Sequence, residues 1–180
     1  MATMTKTRTW TVLELINWSK GHLDEKGFDN TRLEVELLLS HALRLPRVEL
    51  YVQFERQMNG GELAAFKALF KRRLTGEPVQ YVTGTAAFML GEFEVNSAVL
   101  IPRPETEALT EVVLRMLEGV SSAPAGSDAT ASSAPIVADI GTGSGVIATT
   151  VAMRVPAAVV YATDVSAAAL EVAARNAERA

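Results

Sequence analysis

The stretch Ile136–Gly145, I-V-A-D-I-G-T-G-S-G, decides the fold. A short apolar run rich in β-branched residues enters a loop in which three glycines alternate with small hydroxylated residues. An apolar, helix-compatible segment follows. The predicted order is strand, glycine loop, helix. Glycines are needed in such a loop because a backbone without Cβ takes positive φ and lets a ligand approach the main chain. A helix starting near Ser144 directs its unpaired N–H groups and the positive end of its dipole into the loop, which favours a carboxylate or phosphate. The stretch therefore predicts a site for a nucleotide-like ligand.

Spacing narrows the ligand. The dinucleotide fingerprint is G-x-G-x-x-G, whereas this loop is G-x-G-x-G with Asp139 two residues before the first glycine, which argues against NAD. A second marker is Asp164, which follows the run Ala158–Ala162 and precedes an Ala-rich helical stretch. An acid at the end of the second strand of a β-α-β unit, about 20 residues past the glycines, is placed to accept both hydroxyls of an adenosine ribose. Together Asp139, Gly141, Gly143, Gly145 and Asp164 resemble the cofactor site of class I S-adenosyl-L-methionine (SAM) methyltransferases. The alternative is a glycine-rich turn in another α/β domain.

With 180 residues, the chain is long enough for one domain of ordinary size plus a smaller one. An apolar fraction of 48% against 21% charged residues supplies a packed core. The net charge of −4 makes no general electrostatic case for nucleic acid, although local basic patches remain open. The absence of cysteine excludes structural disulfides and thiolate metal sites, and two histidines do not make a typical zinc site, so no metal is expected. No apolar run approaches the roughly 20 residues of a membrane span. The N-terminal M-A-T-M-T-K-T-R has no apolar core behind its charges. These features predict a cytoplasmic protein with no membrane partner.

Upstream, T-V-L-E at Thr11–Glu14 is a capping box with Trp10 and Leu15 as its hydrophobic staple, and Val12, Leu15, Ile16, Ser19 and Leu23 recur with helical period. Thr31–Glu34 repeats the capping signature ahead of a helix apolar around most of its circumference. His41 lies in that run and reads as a core or edge histidine. Pro46 opens a shorter helix, and Asn59–Gly61 form a turn before a helix with the stripe Leu63, Phe66, Phe70 and Leu74. Lys67, Lys71, Arg72 and Arg73 lie off that stripe or at its end, either as a solvated helix terminus or as a partner surface.

After Pro78 the pattern changes to V-Q-Y-V-T-G and A-F-M-L-G-E-F-E-V-N, which predicts a hairpin or paired extended segment. In V-L-I-P-R-P-E-T-E the prolines hold the backbone extended, and a helix over Glu105–Leu117 carries Leu109, Val112, Val113 and Met116 on one side. Arg103 projects from this segment either to pair with a carboxylate in fork geometry or to form an interdomain salt bridge. Residues 119–135 are low in complexity and predict a flexible surface loop. Beyond the glycine loop, Val146, Ile147 and Val151 are predicted to face a sheet, and Ser166 caps a last helix. The expected architecture is α + α/β. It comprises a helical bundle over 1–77, a hairpin linker over 78–98, and the start of a Rossmann-like class I methyltransferase domain over 99–180.

The segments G-E-P-V-Q-Y-V-T-G at Gly76–Gly84, F-x-V at Phe93–Val95, L-I-P-R-P-E-T-E at Leu100–Glu107 and D-I-G-T-G-S-G at Asp139–Gly145 closely resemble the HemK/PrmC family of peptide chain release factor N5-glutamine methyltransferases. The resemblance spans nearly the whole chain, including a helical region that the family uses to hold its protein substrate. It implies methyl transfer from SAM to the side-chain amide of the glutamine in the G-G-Q motif of release factors. It further implies that Gly141, Thr142, Gly143, Ser144 and Gly145 wrap the methionine end of SAM, that Asp164 holds the ribose, and that Arg103 or Thr106 touches the methionine carboxylate. The family's amide-binding N-P-P-Y motif does not occur in these 180 residues, nor do the third to seventh strands of its sheet. The domain is therefore expected to be incomplete. Two alternatives stand beside methylation of release factors: a non-catalytic module that binds a release factor or another partner, and a methyltransferase acting on another protein or on nucleic acid.

Overall fold

The computed structural model describes residues 9–121 and 134–180, which form two units dividing between Thr83 and Gly84. Most of the loop expected over 119–135 lies outside the described residues. No helix among the described residues is long and apolar enough to cross a membrane.

The first unit is helical, with α1 (Val12–Glu25), α2 (Thr31–Leu43), α3 (Arg47–Val52), α4 (Gly60–Leu74) and α5 (Val79–Thr83). Its core joins Val12, Ile16 and Leu23 of α1 to Val35, Leu38 and Leu39 of α2, with Phe66 and Phe70 of α4. The capping box of α1 forms as the sequence implies: the Glu14 N–H donates to the Thr11 hydroxyl at 3.2 Å and the Thr11 N–H to the Glu14 carboxylate at 2.9 Å. The helix α4 starts with the same device, Asn59 and Glu62, at 2.9 and 3.0 Å. The signature at Thr31–Glu34 does not make a box. Asn30, in the left-handed region at φ 49°, is the N-cap and supplies no side-chain bond, and the Thr31 hydroxyl donates to Asp24. Glu34 is instead held by the Arg73 guanidinium in a fork at 2.7 and 3.0 Å.

Two further expectations are corrected in this unit. The V-Q-Y-V-T segment is a helix, α5, because Val79 and Val82 are buried in the helical core rather than paired in a sheet. His41 is exposed in the last turn of α2, neither in the core nor at its edge. Of the four basic residues on α4, Arg73 is buried over the Phe28 ring at 4.1 Å, and Arg72 pairs with Glu77 and donates to the Tyr81 and Val82 carbonyls. Both arginines thus pin α4 to its surroundings, while Lys67 and Lys71 are exposed.

The second unit opens with the hairpin β1 (Thr85–Phe88) and β2 (Gly91–Glu94), continues with α6 (Pro104–Ser121), and ends in β3 (Ile136–Ile140), α7 (Val146–Arg154), β4 (Val159–Thr163) and α8 (Ala167–Arg179). The hairpin pairs Thr85 with Glu94 and Phe88 with Gly91, and Met89 takes φ 54° in its turn. Pro104 begins α6, one residue before the predicted start and in keeping with the preference of proline for the first helical position. The face of α6 differs from expectation: Thr110 and Leu114 are buried, whereas Leu109, Val112 and Met116 are exposed. The helix packs on α7.

Strands β3 and β4 are parallel, with Ile136 opposite Val159 and Ile140 opposite Thr163, and α7 is their crossover. The predicted inward residues Val146 and Val151 of α7 are buried, and Ile147 packs against the cluster of Phe88, Phe93 and Val146. The Ser166 hydroxyl caps α8 by accepting from the Ala169 N–H at 3.2 Å. Ile136, Ile140, Val159 and Tyr161 leave apolar strand surface in solvent. The C-terminal ends of β3 and β4 point the glycine loop and Asp164 to one edge of this sheet.

Candidate functional site

The loop between β3 and α7 is shaped by three glycines in the left-handed region, Gly141 at φ 81°, Gly143 at 56° and Gly145 at 77°. A Cβ at Gly141 or Gly143 would meet nothing within 4 Å, so these two positions answer to backbone conformation and leave open space for a ligand. Gly145 differs. A Cβ there would stand 2.9 Å from the Ala173 Cβ and 3.0 Å from its Cα, so this glycine permits the approach of α8.

Two carboxylates hold the loop. Asp139, at the end of β3, accepts from the Thr142 hydroxyl at 2.7 Å and from the Ala148 N–H in the first turn of α7 at 3.2 Å. Asp164, just past β4, accepts from the Gly143 N–H and the Ser166 N–H, both at 2.9 Å. Those backbone donors, Ser166 first and then Gly143, hold the Asp164 carboxyl below its ordinary value, so it is ionised at neutral pH. The Thr163 carbonyl accepts from both Gly141 and Thr142 N–H groups at 2.8 and 2.9 Å, and the Gly145 N–H donates to Thr142.

The free donors expected in the loop are therefore fewer than the sequence suggests. Ser144, Val146 and Ile147 are the loop and first-turn residues whose N–H groups lack a partner among the described residues. Thr142 and Ser144 are buried, and the Thr142 hydroxyl, N–H and carbonyl are all bonded within the unit.

A cleft of about 360 Å³ lies beyond the carboxyl ends of β3 and β4, lined by Ile140, Gly141, Thr163, Asp164 and Val165. Ligands of open parallel sheets bind in this position. A carboxylate has about four acceptor sites, so Asp164 retains capacity beyond its two backbone bonds. Val165 and Ile140 are exposed apolar walls beside it. Neither residue is singled out by the sequence patterns, which mark the neighbouring glycines and Asp164. A second concavity of about 320 Å³ between α7, β4 and α8 is lined almost entirely by alanine and other small apolar side chains and has little with which to orient a ligand.

The Arg103 and Thr106 positions sit at the start of α6. The Thr106 N–H donates to the Arg103 carbonyl at 2.9 Å, and the Arg103 guanidinium is exposed, without an ion pair among the described residues. Glu107, which the sequence reading did not single out, accepts from the Met89 N–H at 2.6 Å and so ties the start of α6 to the hairpin turn.

Comparison with known proteins adds to this geometry. Residues 14–84 match the family model of the PrmC N-terminal domain, and residues 106–180 match that of ribosomal protein L11 methyltransferase (PrmA). The chain is 45% identical over 175 residues to a release factor glutamine methyltransferase of Chlorobaculum tepidum, covering 97% of this chain and 57% of the relative. It is 44% identical over 174 residues to that of Geobacter sulfurreducens, covering 97% and 56%. A third relative of the same name, from Rhodopirellula baltica, is 37% identical over 179 residues, covering 99% and 57%. The chain thus spans a little over half the length of the curated relatives it matches.

Proposed function

We infer the function from the family to which the chain belongs, that of the PrmC-type release factor glutamine methyltransferases. The chain takes part in SAM-dependent methylation of the side-chain amide nitrogen of the glutamine in the G-G-Q motif of peptide chain release factors. It contributes the cofactor loop and a helical unit that engages the protein substrate. The observation that carries this reading is the cleft at the carboxyl ends of β3 and β4, where an ionised Asp164 stands beside a glycine loop with open space at Gly141 and Gly143.

In this reading Asp164 accepts the ribose hydroxyls, Val165 and Ile140 flank the adenine, and the backbone of Gly141–Gly145 lies along the methionine end. Arg103 or Thr106 meets the methionine carboxylate. SAM supplies an electrophilic methyl group on a sulfonium. Held by Asp164 and the glycine-loop backbone, it would give that methyl to the glutamine nitrogen, the carbon–sulfur electron pair going to sulfur and a proton leaving the nitrogen. An amide nitrogen is a weak nucleophile because its lone pair is delocalised, so positioning has to supply much of the acceleration.

The test has two parts, each using the 180-residue chain. Calorimetry measures SAM binding, and tritiated SAM measures transfer to a release factor and to the same factor with the G-G-Q glutamine replaced by alanine. SAM binding is the expected result, and label that depends on that glutamine would show that transfer proceeds without the N-P-P-Y motif, which does not occur in these 180 residues. Binding of SAM and of the release factor without transfer favours a binding module, and failure to bind SAM removes the proposed cofactor site.

A further inference from the structure

Asn176 is polar, lies in the last turn of α8, and is only 3% exposed. Asparagine is a poor helix former because its amide competes for backbone partners, so its place inside a helix face asks for a reason. The reason is a set of three backbone bonds. The Nδ2 group donates to the Ser144 carbonyl at 2.8 Å and to the Glu94 carbonyl at 3.0 Å, and the Oδ1 atom accepts from the Glu94 N–H at 2.7 Å. A primary amide carries the two donors and the acceptor this requires. Aspartate lacks the donors, and leucine lacks all three.

The bond to Ser144 falls on a particular peptide plane. The Ser144 carbonyl and the Gly145 N–H belong to one planar unit. The Gly145 N–H donates to the Thr142 carbonyl at 2.9 Å, so that plane is held from both sides. One turn before Asn176, Ala173 closes on Gly145. The same face of α8 therefore fixes the end of the ligand loop by contact at one position and by hydrogen bonding at the next. Arg175 and Arg179 pair with the Glu94 carboxylate at 2.8 and 3.1 Å, which secures the β2 end of the clamp.

We propose that Asn176 is a positioning residue for the cofactor loop, one buried amide that orients the Ser144–Gly145 peptide and ties it to the backbone of Glu94. It touches no ligand and acts through Ser144. The effect on SAM rests on the function proposed above, whereas the effect on the loop does not.

Asn176→Asp keeps the acceptor for the Glu94 N–H and sets a carboxylate oxygen against two carbonyl oxygens. Asn176→Ala removes the amide without adding charge. Val172→Ala is the comparison variant, since Val172 is fully buried in the same helix but offers the loop no hydrogen bond. Amide hydrogen exchange at Gly143, Ser144 and Gly145 is followed without ligand, and SAM affinity is measured calorimetrically on variants whose circular dichroism matches the parent. Both Asn176 variants are expected to speed loop exchange at least tenfold beyond Val172→Ala and to weaken SAM by a similar factor, with Val172→Ala lowering only Tm. Loop exchange in a folded Asn176 variant equal to that of Val172→Ala overturns the proposal. If the parent chain binds no SAM, the functional reading fails and the exchange result still decides the role of Asn176.

Discussion

Gly145→Ala isolates the close approach of α8 from the backbone demands of the loop. All three loop glycines have positive φ, so alanine at any of them carries a left-handed penalty of roughly 1–2 kcal/mol. At Gly141 and Gly143 nothing further opposes the new methyl, because no atom lies within 4 Å. At Gly145 it would sit 2.9 Å from the Ala173 Cβ and 3.0 Å from its Cα. The second atom is backbone, so rotation of a side chain cannot relieve the contact, and overpacking of this kind adds roughly 1–3 kcal/mol. Gly145→Ala should therefore cost about 2–5 kcal/mol against about 1–2 for Gly141→Ala. Urea denaturation followed by circular dichroism measures both, read as a change in midpoint at constant slope. Ala173→Gly supplies the double-mutant cycle. It removes the nearest of the three opposing atoms, so the pair should recover roughly 1 kcal/mol or more after the helix cost of the new glycine is taken out. Equal costs at Gly145 and Gly141, or a cycle with no coupling, would refute the assignment of Gly145 to helix packing.

Four other outcomes follow from the same geometry. Asp164→Asn should weaken SAM by at least about tenfold, since it removes a charged acceptor that also holds the Gly143 N–H, and calorimetry checks it. The carboxyl of Asp164 is depressed by the Ser166 and Gly143 N–H groups, so its contribution is complete above the ordinary aspartate value of about 3.9 and is lost as pH falls through the lower folded value. SAM affinity should be flat between pH 5 and 8 in this respect, and a loss in that range would point to another group. Arg103→Ala should weaken SAM while leaving Tm unchanged, and an unaltered dissociation constant rules the contact out. In the helical unit, Glu34→Gln breaks a fork with a largely buried Arg73 and should cost about 3 kcal/mol, whereas Lys67→Gln on the exposed side of α4 should stay within about 0.5 kcal/mol in the same melt.

The parts of the fold that were legible are those where one residue type has a single local reason. Glycines at alternate positions after a β-branched run predicted the β3–α7 loop, because few other residues take positive φ there. Thr11 with Glu14 predicted the start of α1 through a bond spanning three residues. The same pattern failed at Thr31 and Glu34 because the stronger partner for Glu34 is Arg73, 39 residues away, and no local pattern reports such a pair. The V-Q-Y-V-T segment failed for a related reason: its β-branched residues favour strands, but burial of Val79 and Val82 among helices decides their state. For α6 the apolar row was visible and its use was not. Leu109 and Met116 are exposed while Thr110 is buried, its hydroxyl donating back to the Thr106 carbonyl at 2.8 Å.

The site itself shows where local reading stops. Asp139 and Asp164 were singled out as ligand-side acids, yet in the structure each first holds backbone or hydroxyl groups of the loop. Most of the loop's N–H groups are bonded within the unit, which fixes the loop's shape through its own contacts. A binding loop that is already ordered loses less conformational freedom when a ligand arrives, and that saving appears as affinity. The two acids should consequently be separable by experiment. Asp139 has both of its side-chain bonds inside the unit, to Thr142 and Ala148, so Asp139→Asn should lower stability and SAM affinity together. Asp164 faces the cleft as well as the loop, so Asp164→Asn should lower affinity by more than its effect on stability accounts for. If the two variants shift both quantities in the same ratio, Asp164 is a loop strut like Asp139 and the ribose contact must be sought elsewhere in the cleft.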